Sequence, residues 1–349
     1  VNRMIPQHHK LAGLTVKTSN LCSEITLPTG IDKDGRDRTA VCCLSSLNLE
    51  KYDEWKDDNN FITDVMRMLD NVLTDFIEKA PESFSDATYS ALKERSVGLG
   101  VMGLHSYFQQ KKIPFESVMS KVWNKKIFSN IQKQVDQASK DLADERGPCP
   151  DAADYGINER FSNKTAIAPT ASISIICGGT SPGVEPIAAN SYTHKTLSGS
   201  FNVRNKYLTE VLEKYGKNDE ETWSSITTNQ GSVSHLDFLS QNEKDVFKTA
   251  FELDQRWIVD LGADRTPHIS QAQSINIFIP ADIHKKDLHQ IHFQAWKKGL
   301  KSLYYCRSKS IQRAENVNDA SSTDVTANVY KSKNQKQNQP EYEECLSCQ

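Results

Sequence analysis

Helical periodicity interrupted by short apolar runs is the feature that most narrows the folds open to this chain. Phe61, Val65, Met68, Leu69, Val72, Leu73, Phe76 and Ile77 recur at helical spacing and predict one helix face, ending before Pro81. Ile127, Phe128, Ile131, Val135, Ala138 and Leu142 predict a second long helix, closed by Gly147 and Pro148. Between such stretches lie LTVKTSNLCSEITLPTG and AVCCLSSLNL, which read as extended segments around a turn-rich connection from Pro28 to Arg38. Ser240 to Glu243 (SQNE) matches a capping box. Ile275, Ile277 and Ile279 alternate as a strand, and Leu288, Ile291, Ala295 and Trp296 form a helix pattern. LKSLYY after Gly299 predicts a buried strand. Strands separated by amphipathic helices indicate an α/β fold.

A length of 349 residues suits two domains or one large α/β barrel. Beyond Cys306 the composition turns to Ser, Asn, Gln, Lys, Asp and Glu, so 1–306 reads as the folded part and 307–349 as a flexible tail. A net charge of −3, from 42 basic and 45 acidic residues, argues against a nucleic-acid polymer as partner. No run of 18 apolar residues exists, and Val1 to Leu11 is polar and His-rich, so neither a membrane span nor a secretory signal is expected. The eight cysteines read as reduced, cytoplasmic thiols, some of them catalytic. Motif-dense sequence begins within twenty residues of Val1, so a barrel is expected to draw its earlier strands from elsewhere.

Several residues could carry chemistry. Gly98-Leu99-Gly100-Val101-Met102-Gly103 fits G-x-G-x-x-G, but Ser90 to Ser96 before it is polar and helix-prone, and no second strand follows. Glycines that let a helix pack closely are the better reading. In an extended Asn20-Leu21-Cys22-Ser23-Glu24, residues two apart would present an amide, a thiol and a carboxylate to one site. Read alone, Cys22 and Cys42 are ordinary buried thiols. Cys345 and Cys348 form a CxxC that cannot complete a four-ligand zinc site and reads as a redox shuttle. Thr165 to Ser172 is a short strand running into a Pro/Thr/Ser turn, which is a helix cap or an anion site. Tyr304 and Tyr305 read as packed aromatics. The nine histidines lack partners at ligand spacing, and no metal site is expected.

Each signal is weak alone, but their order is specific. The N-x-C-x-E segment, a second Cys about 20 residues later, the P-T-A-S turn, the Tyr-Tyr pair and the C-terminal dithiol occur in one sequence. Together with SNLCSEI, VGLGVMGLHSYF, SPGVEP and LKSLYY, this chain resembles the large, catalytic subunit of class I ribonucleotide reductase. The resemblance runs from about Thr15 to Gln349 and covers the C-terminal half of that subunit. It implies the second half of a ten-stranded α/β barrel with its finger loop, a C-terminal helical and strand region, and a flexible tail. It also implies the second piece of a split large subunit, as in some T4-like bacteriophages, or a truncated form.

By the same resemblance, Cys22 is the thiyl-radical residue, Glu24 the base for the 3′-hydroxyl, and Asn20 the amide that hydrogen-bonds the ribose region and positions Glu24. Cys42 is one member of the reducing dithiol, and Cys43 the less suitable partner. Pro169, Thr170, Ala171, Ser172 and Ile173 form the diphosphate loop. Tyr304 and Tyr305 relay the radical, and Cys345 and Cys348 re-reduce the active-site disulfide. The implied partners are an N-terminal large-subunit fragment, a small subunit with its own radical and di-metal cofactor, and thioredoxin or glutaredoxin. No cofactor is expected on this chain, the substrate is a ribonucleoside diphosphate, and the location is cytoplasmic, the host's if phage-encoded. Two alternatives remain open: an NAD-type dehydrogenase built on Gly98 to Gly103, refuted by a helix rather than a strand before Gly98, and a non-catalytic partner-binding half.

Overall fold

The computed structural model describes residues 1–58, 60–196 and 199–308. The chain enters through α1 (Gln7–Leu11) and an irregular loop, residues 14–29, to a small hairpin of β1 (Gly30–Ile31) and β2 (Asp37–Arg38). β3 (Cys43–Asn48), α2 (Tyr52–Trp55), α3 (Phe61–Lys79) and α4 (Ser85–Glu94) lead to β4 (Val97–Met102). α5 (Leu104–Gln110), α6 (Val118–Arg146) and α7 (Pro150–Ala153) return to residues 163–168, and α8 (Ala171–Ile176) follows. A hairpin of β5 (Ser191–Thr196) and β6 (Gly199–Arg204) precedes α9 (Lys206–Lys214), α10 (Glu220–Thr228), α11 (Gln241–Val246) and α12 (Gln255–Arg265). The described part closes with β7 (Ile277–Ile279), α13 (Lys285–Lys297) and β8 (Cys306–Ser308).

Five segments form one parallel wall in chain order. β3 pairs with β4, Leu99 bridges to Thr165, Ile167 bridges to Gln273, and β7 pairs with β8, all parallel. Helical crossovers separate the segments, as parallel pairing requires, and α3, α6 and α12 pack together beside the wall. β4 is buried along its whole length. The fold is therefore α/β, as the alternation of periods predicts. A second apolar cluster, including Leu208, Leu212, Trp223, Ile226 and Phe247, holds the 205–247 region together.

The helix signals hold at their ends. α3 stops at Lys79 ahead of Pro81, and α6 ends with Gly147 at φ 85°. Ser240 and Glu243 close a reciprocal capping box, although the helix they start has only 6 residues. The predicted face of α3 needs correcting. Its buried residues are Ile62, Met66, Leu69, Asp70 and Leu73, whereas Met68 and Val72 are exposed. Asp70 can sit on that buried face because Arg95, Arg146 and Arg160 pair with it.

Two further expectations are overturned. LKSLYY is half-exposed and irregular, and the regular strand begins only at Cys306. Gly98 and Gly100 of GLGVMG lie in a strand rather than against a helix, and Gly103 caps α5. A Cβ at Gly98 would collide with Leu44, and one at Gly100 with the backbone oxygen of Ala166. Glycine is used where neighbouring backbone approaches too closely for a side chain. Gly100→Ala is therefore expected to cost about 3 kcal/mol, at the upper end for overpacking, because the obstacle is backbone. Urea unfolding measures this, and an unchanged midpoint would show that the wall spreads freely. The tail expected from 307 onward begins instead as strand at Arg307 and Ser308, and its remainder from 309 lies outside the described residues.

Candidate active site

The segment carrying Cys22 and Glu24 is a turn, not the extended strand expected from its spacing. The Ser23 N–H donates to Asn20 O at 3.1 Å, and Ser23 sits at φ 63° in the left-handed region. Asn20 accepts from the Ile25 N–H at 3.0 Å and so closes the turn with its own side chain. Asn20 does not share a face with Cys22 and Glu24. A non-glycine residue in that conformation persists only when its surroundings over-determine it, and here they do. Ser302 Oγ donates to Ser23 O at 2.9 Å, Ser23 Oγ to Leu303 O at 3.1 Å, and Ala272 N–H to Glu24 O at 2.9 Å.

Cys22 and Glu24, both buried, reach the same cleft of about 300 Å³. Its other walls are Leu44, Ser45 and Ser46 of β3 and the turn Ala168 to Ile173, so Pro169, Thr170, Ala171, Ser172 and Ile173 all border it. Thr170 caps α8 in a left-handed conformation, and its Oγ1 accepts from Gly183 N–H at 2.7 Å. A Cβ at Gly183, itself at φ 49°, would press on Ala168 O at 3.0 Å. The SPGVEP stretch thus braces the turn from behind. The first turn of any helix leaves backbone N–H groups without intrahelical acceptors, and in α8 that turn borders the cleft.

On its other side Cys22 meets the tyrosines. Its Sγ donates to Tyr304 Oη at 3.4 Å, across 282 residues of sequence. The Tyr304 and Tyr305 rings lie 4.0 Å apart between centroids and 32° from parallel. Burial, and then the contacts with Cys22 and Tyr305, push the Tyr304 phenol well above its ordinary range, so it stays protonated. Tyr305 is 46% exposed and forms the outer member of the pair.

Cys42 occupies a neighbouring hollow of about 400 Å³ with Asn20, which shares Leu44 with the cleft of Cys22. Its thiol is pushed up to about 12 by burial, partly offset by Gln271 Nε2, which donates to Cys42 Sγ at 3.3 Å. Cys345 and Cys348 lie outside the described residues.

Sequence reasoning missed the strip that organises these groups, residues 271–276. Gln271 donates to Cys42 and accepts from Thr26 N–H at 3.1 Å; Ser274 touches both Cys22 O and Glu24; Asn276 accepts from Tyr305 N–H at 3.0 Å. Asn276 also donates to Glu185 at 2.6 Å, a carboxyl raised to about 7 by burial. Lys301, pushed down to about 8 by burial, donates to the carbonyls of Ile269, Ser270 and Gln271. The polar run QAQSIN inside an apolar strand pattern was the available signal.

The dinucleotide reading fails here. α4 ends at Glu94, Gly98 and Gly100 lie within the β4 ladder, and Gly103 caps α5, so no glycine loop follows a strand to receive a pyrophosphate. Among the described residues no cluster of three His, Cys, Asp or Glu side chains could hold a metal, and no helix is long and apolar enough to cross a membrane.

Residues 1–159 and 150–306 match the family described as ribonucleotide reductase, barrel domain. The ribonucleoside-diphosphate reductase large subunit of Invertebrate iridescent virus 6 is 52% identical over 300 residues, 85% of this chain and 31% of that protein. A putative large subunit of Frog virus 3 is 41% identical over 351 residues, 100% of this chain and 58% of that protein. The solved Actinobacillus ureae class Id ribonucleotide reductase alpha subunit matches with a TM-score of 0.81 at 37% identity, over 91% of this chain and 58% of that one. The chain spans less than two thirds of the length of each of these relatives.

Proposed function

Because this chain belongs to the ribonucleotide reductase barrel-domain family, we propose that it supplies the radical and substrate-phosphate side of a ribonucleoside-diphosphate reductase. The carrying observation is the 3.4 Å contact between Cys22 Sγ and Tyr304 Oη, beside a cleft that also holds Glu24. In this reading a radical-bearing small subunit would remove one hydrogen atom from the tyrosine pair, leaving the radical on Tyr304. Tyr304 then takes the hydrogen atom of Cys22, becoming a phenol again and leaving a thiyl at Cys22. The thiyl removes the 3′ hydrogen of the ribose while Glu24 accepts the 3′-hydroxyl proton. The 2′-hydroxyl leaves as water on taking a proton from the dithiol of Cys42 and a second cysteine, which supplies two electrons and two protons in all and ends as a disulfide. Cys22 returns the hydrogen atom at the end. An S–H bond is close in strength to a ribose C–H bond, which is why a thiol can serve in both directions.

The turn Pro169 to Ile173 is the proposed diphosphate holder, since it combines hydroxyls with the first turn of α8. Asn20 keeps the Cys22 turn closed through Ile25. The open five-segment wall is proposed to be completed by the earlier barrel half, on a separate chain or a longer one. Exposed Phe293 and Trp296, in ring contact on α13 just ahead of the tyrosines, are a fitting surface for the radical-supplying subunit. A cytoplasmic location follows from this reading. The non-catalytic alternative is disfavoured because Cys22, Glu24, Tyr304 and Tyr305 are all retained.

An assay for dCDP formation tests the proposal. The chain alone should reduce no CDP, whereas adding the earlier barrel half and a radical-bearing small subunit should give turnover. Cys345→Ser or Cys348→Ser should keep turnover with dithiothreitol and lose most of it with thioredoxin or glutaredoxin. Full activity of the isolated chain would remove the completion of the barrel from the proposal, and no activity of the complex would remove the function.

A further inference from the structure

Ser274 stands between two groups that the proposed chemistry uses together. It is 1% exposed, and its Oγ lies 2.5 Å from Cys22 O and 3.1 Å from Glu24 Oε2. A hydroxyl has one proton to give, and a backbone carbonyl can only accept. The contact with Cys22 O therefore consumes the Ser274 proton. The approach to Glu24 is then a hydrogen bond only if the carboxyl carries a proton and donates it to Ser274 Oγ. When Glu24 is ionised, the hydroxyl turns to the carboxylate, the stronger acceptor, and Cys22 O loses its donor. Both arrangements use the same heavy-atom positions and differ only in where two protons lie.

We propose that Ser274 is a positioning residue that transmits the protonation state of Glu24 to the peptide bearing Cys22. This rests on reading Glu24 as the base for the 3′-hydroxyl. Before reaction Ser274 donates to the ionised carboxylate and holds it. As Glu24 accepts the substrate proton, the Ser274 hydroxyl rotates to Cys22 O. The Cys22–Ser23 peptide is thereby gripped in the same step that turns the Cys22 thiyl into a thiol. No proton or electron leaves Ser274; one proton arrives at Glu24 and one hydroxyl turns.

The surroundings leave this switch to Ser274. The titratable groups facing Glu24 are Cys22 on its own loop, Cys42 ahead of β3 and, through Cys22, Tyr304. The 169–173 turn and β3 face the same cleft with Thr170, Ser172, Ser45 and Ser46, which do not titrate near neutrality. Among the described residues, no Lys, Arg or His forms an ion pair with Glu24.

Carboxyl-¹³C NMR of the full chain reads the switch without needing turnover, with the Glu24 resonance identified by its loss in Glu24→Gln. The Cys22 carbonyl is followed in the same titration. In the parent chain its resonance should move with the Glu24 carboxyl, because protonation of Glu24 returns the Ser274 donor to Cys22 O. In Ser274→Ala Glu24 should still titrate, but the Cys22 carbonyl should no longer follow it. Ser274→Thr, which keeps the hydroxyl, should restore the coupled movement. Ser274→Cys, a weaker donor of similar size, should weaken it with less change in packing. A Cys22 carbonyl that follows Glu24 undiminished in the Ala and Cys variants overturns the proposal, as does a Thr variant in which the coupling is lost. Coupled movement in a parent chain whose assembled complex reduces no nucleotide supports the Ser274 switch and removes the base role of Glu24.

Discussion

Cys22→Ser should lower dCDP formation by the assembled enzyme at least about a thousandfold, even with dithiothreitol as reductant. A barrier increase of about 4 kcal/mol is enough for that loss. An O–H bond is much stronger than an S–H bond, so a serine in this position cannot give its hydrogen to a tyrosyl radical at comparable cost. Distance does not compensate, because the thiol already sits 3.4 Å from Tyr304 Oη. Tyr304→Phe should fail to the same extent while leaving Cys22 intact, since it deletes the phenol proposed to take the hydrogen atom. Circular dichroism of both variants should match the parent. Either variant retaining a few per cent of activity would mean that the radical reaches the substrate by another route.

The largest expected loss of stability comes from Asp70, which performs no chemistry. It is fully buried on α3 and receives Arg95 at 2.7 Å, Arg146 at 2.8 Å and Arg160 at 3.0 Å. One carboxylate thereby ties α3 to the ends of α4 and α6 and to the loop at Arg160. Asp70→Ala leaves Arg95 and Arg160 without their counter-charge and Arg146 with Glu145 alone. Breaking a buried pair from one side costs about 3–5 kcal/mol, against a typical total stability of about 5–15 kcal/mol. The urea midpoint of the first unfolding transition should fall accordingly. Burial pushes the Asp70 carboxyl up, but hydrogen bonds from Arg160 and Arg146 and the charge of Arg95 outweigh it and hold it below its ordinary value. A depressed folded-state value contributes stability above the unfolded value, about 3.9. That contribution should fade only as the pH falls below this, and Asp70→Ala should lack it. A loss under 1 kcal/mol at neutral pH would show that the arginines find other partners.

Local rules carried the sequence reading where a single element decides the outcome. α3 ends where Pro81 demands, α6 ends at a left-handed glycine, and Ser240 with Glu243 makes the box their spacing encodes. The reading failed where a distant segment decides. Val97 to Met102 becomes a strand although glycine weakens strands, and Gly98 and Gly100 are needed there because Leu44 and Ala166 occupy the space side chains would fill. Asn20 to Glu24 bends through Ser23 because Ser302, Leu303 and Ala272 hold it there, none of them near it in sequence. The candidate site divides in the same way. Cys22, Glu24, the 169–173 turn and the tyrosines were legible through their order along the chain. Gln271 and Ser274 act on residues 229 and 250 positions away, and no local pattern encodes such pairings.

Every ladder in the parallel wall joins segments consecutive along the chain, from β3 to β4, onward to 165–167 and 271–279, and finally to β8. No strand waits for a partner inserted from the far side of the sequence, so the wall can zip up stepwise from one end. What it leaves among the described residues is two raw margins, the free side of β3 and the free side of β8. Unpaired strand margins of this kind bind further backbone with little discrimination. If the proposed complementary half docks on both margins, it would act on this protein as a chaperone as well as a co-catalyst, by covering the surfaces through which copies of this chain would otherwise stick to one another.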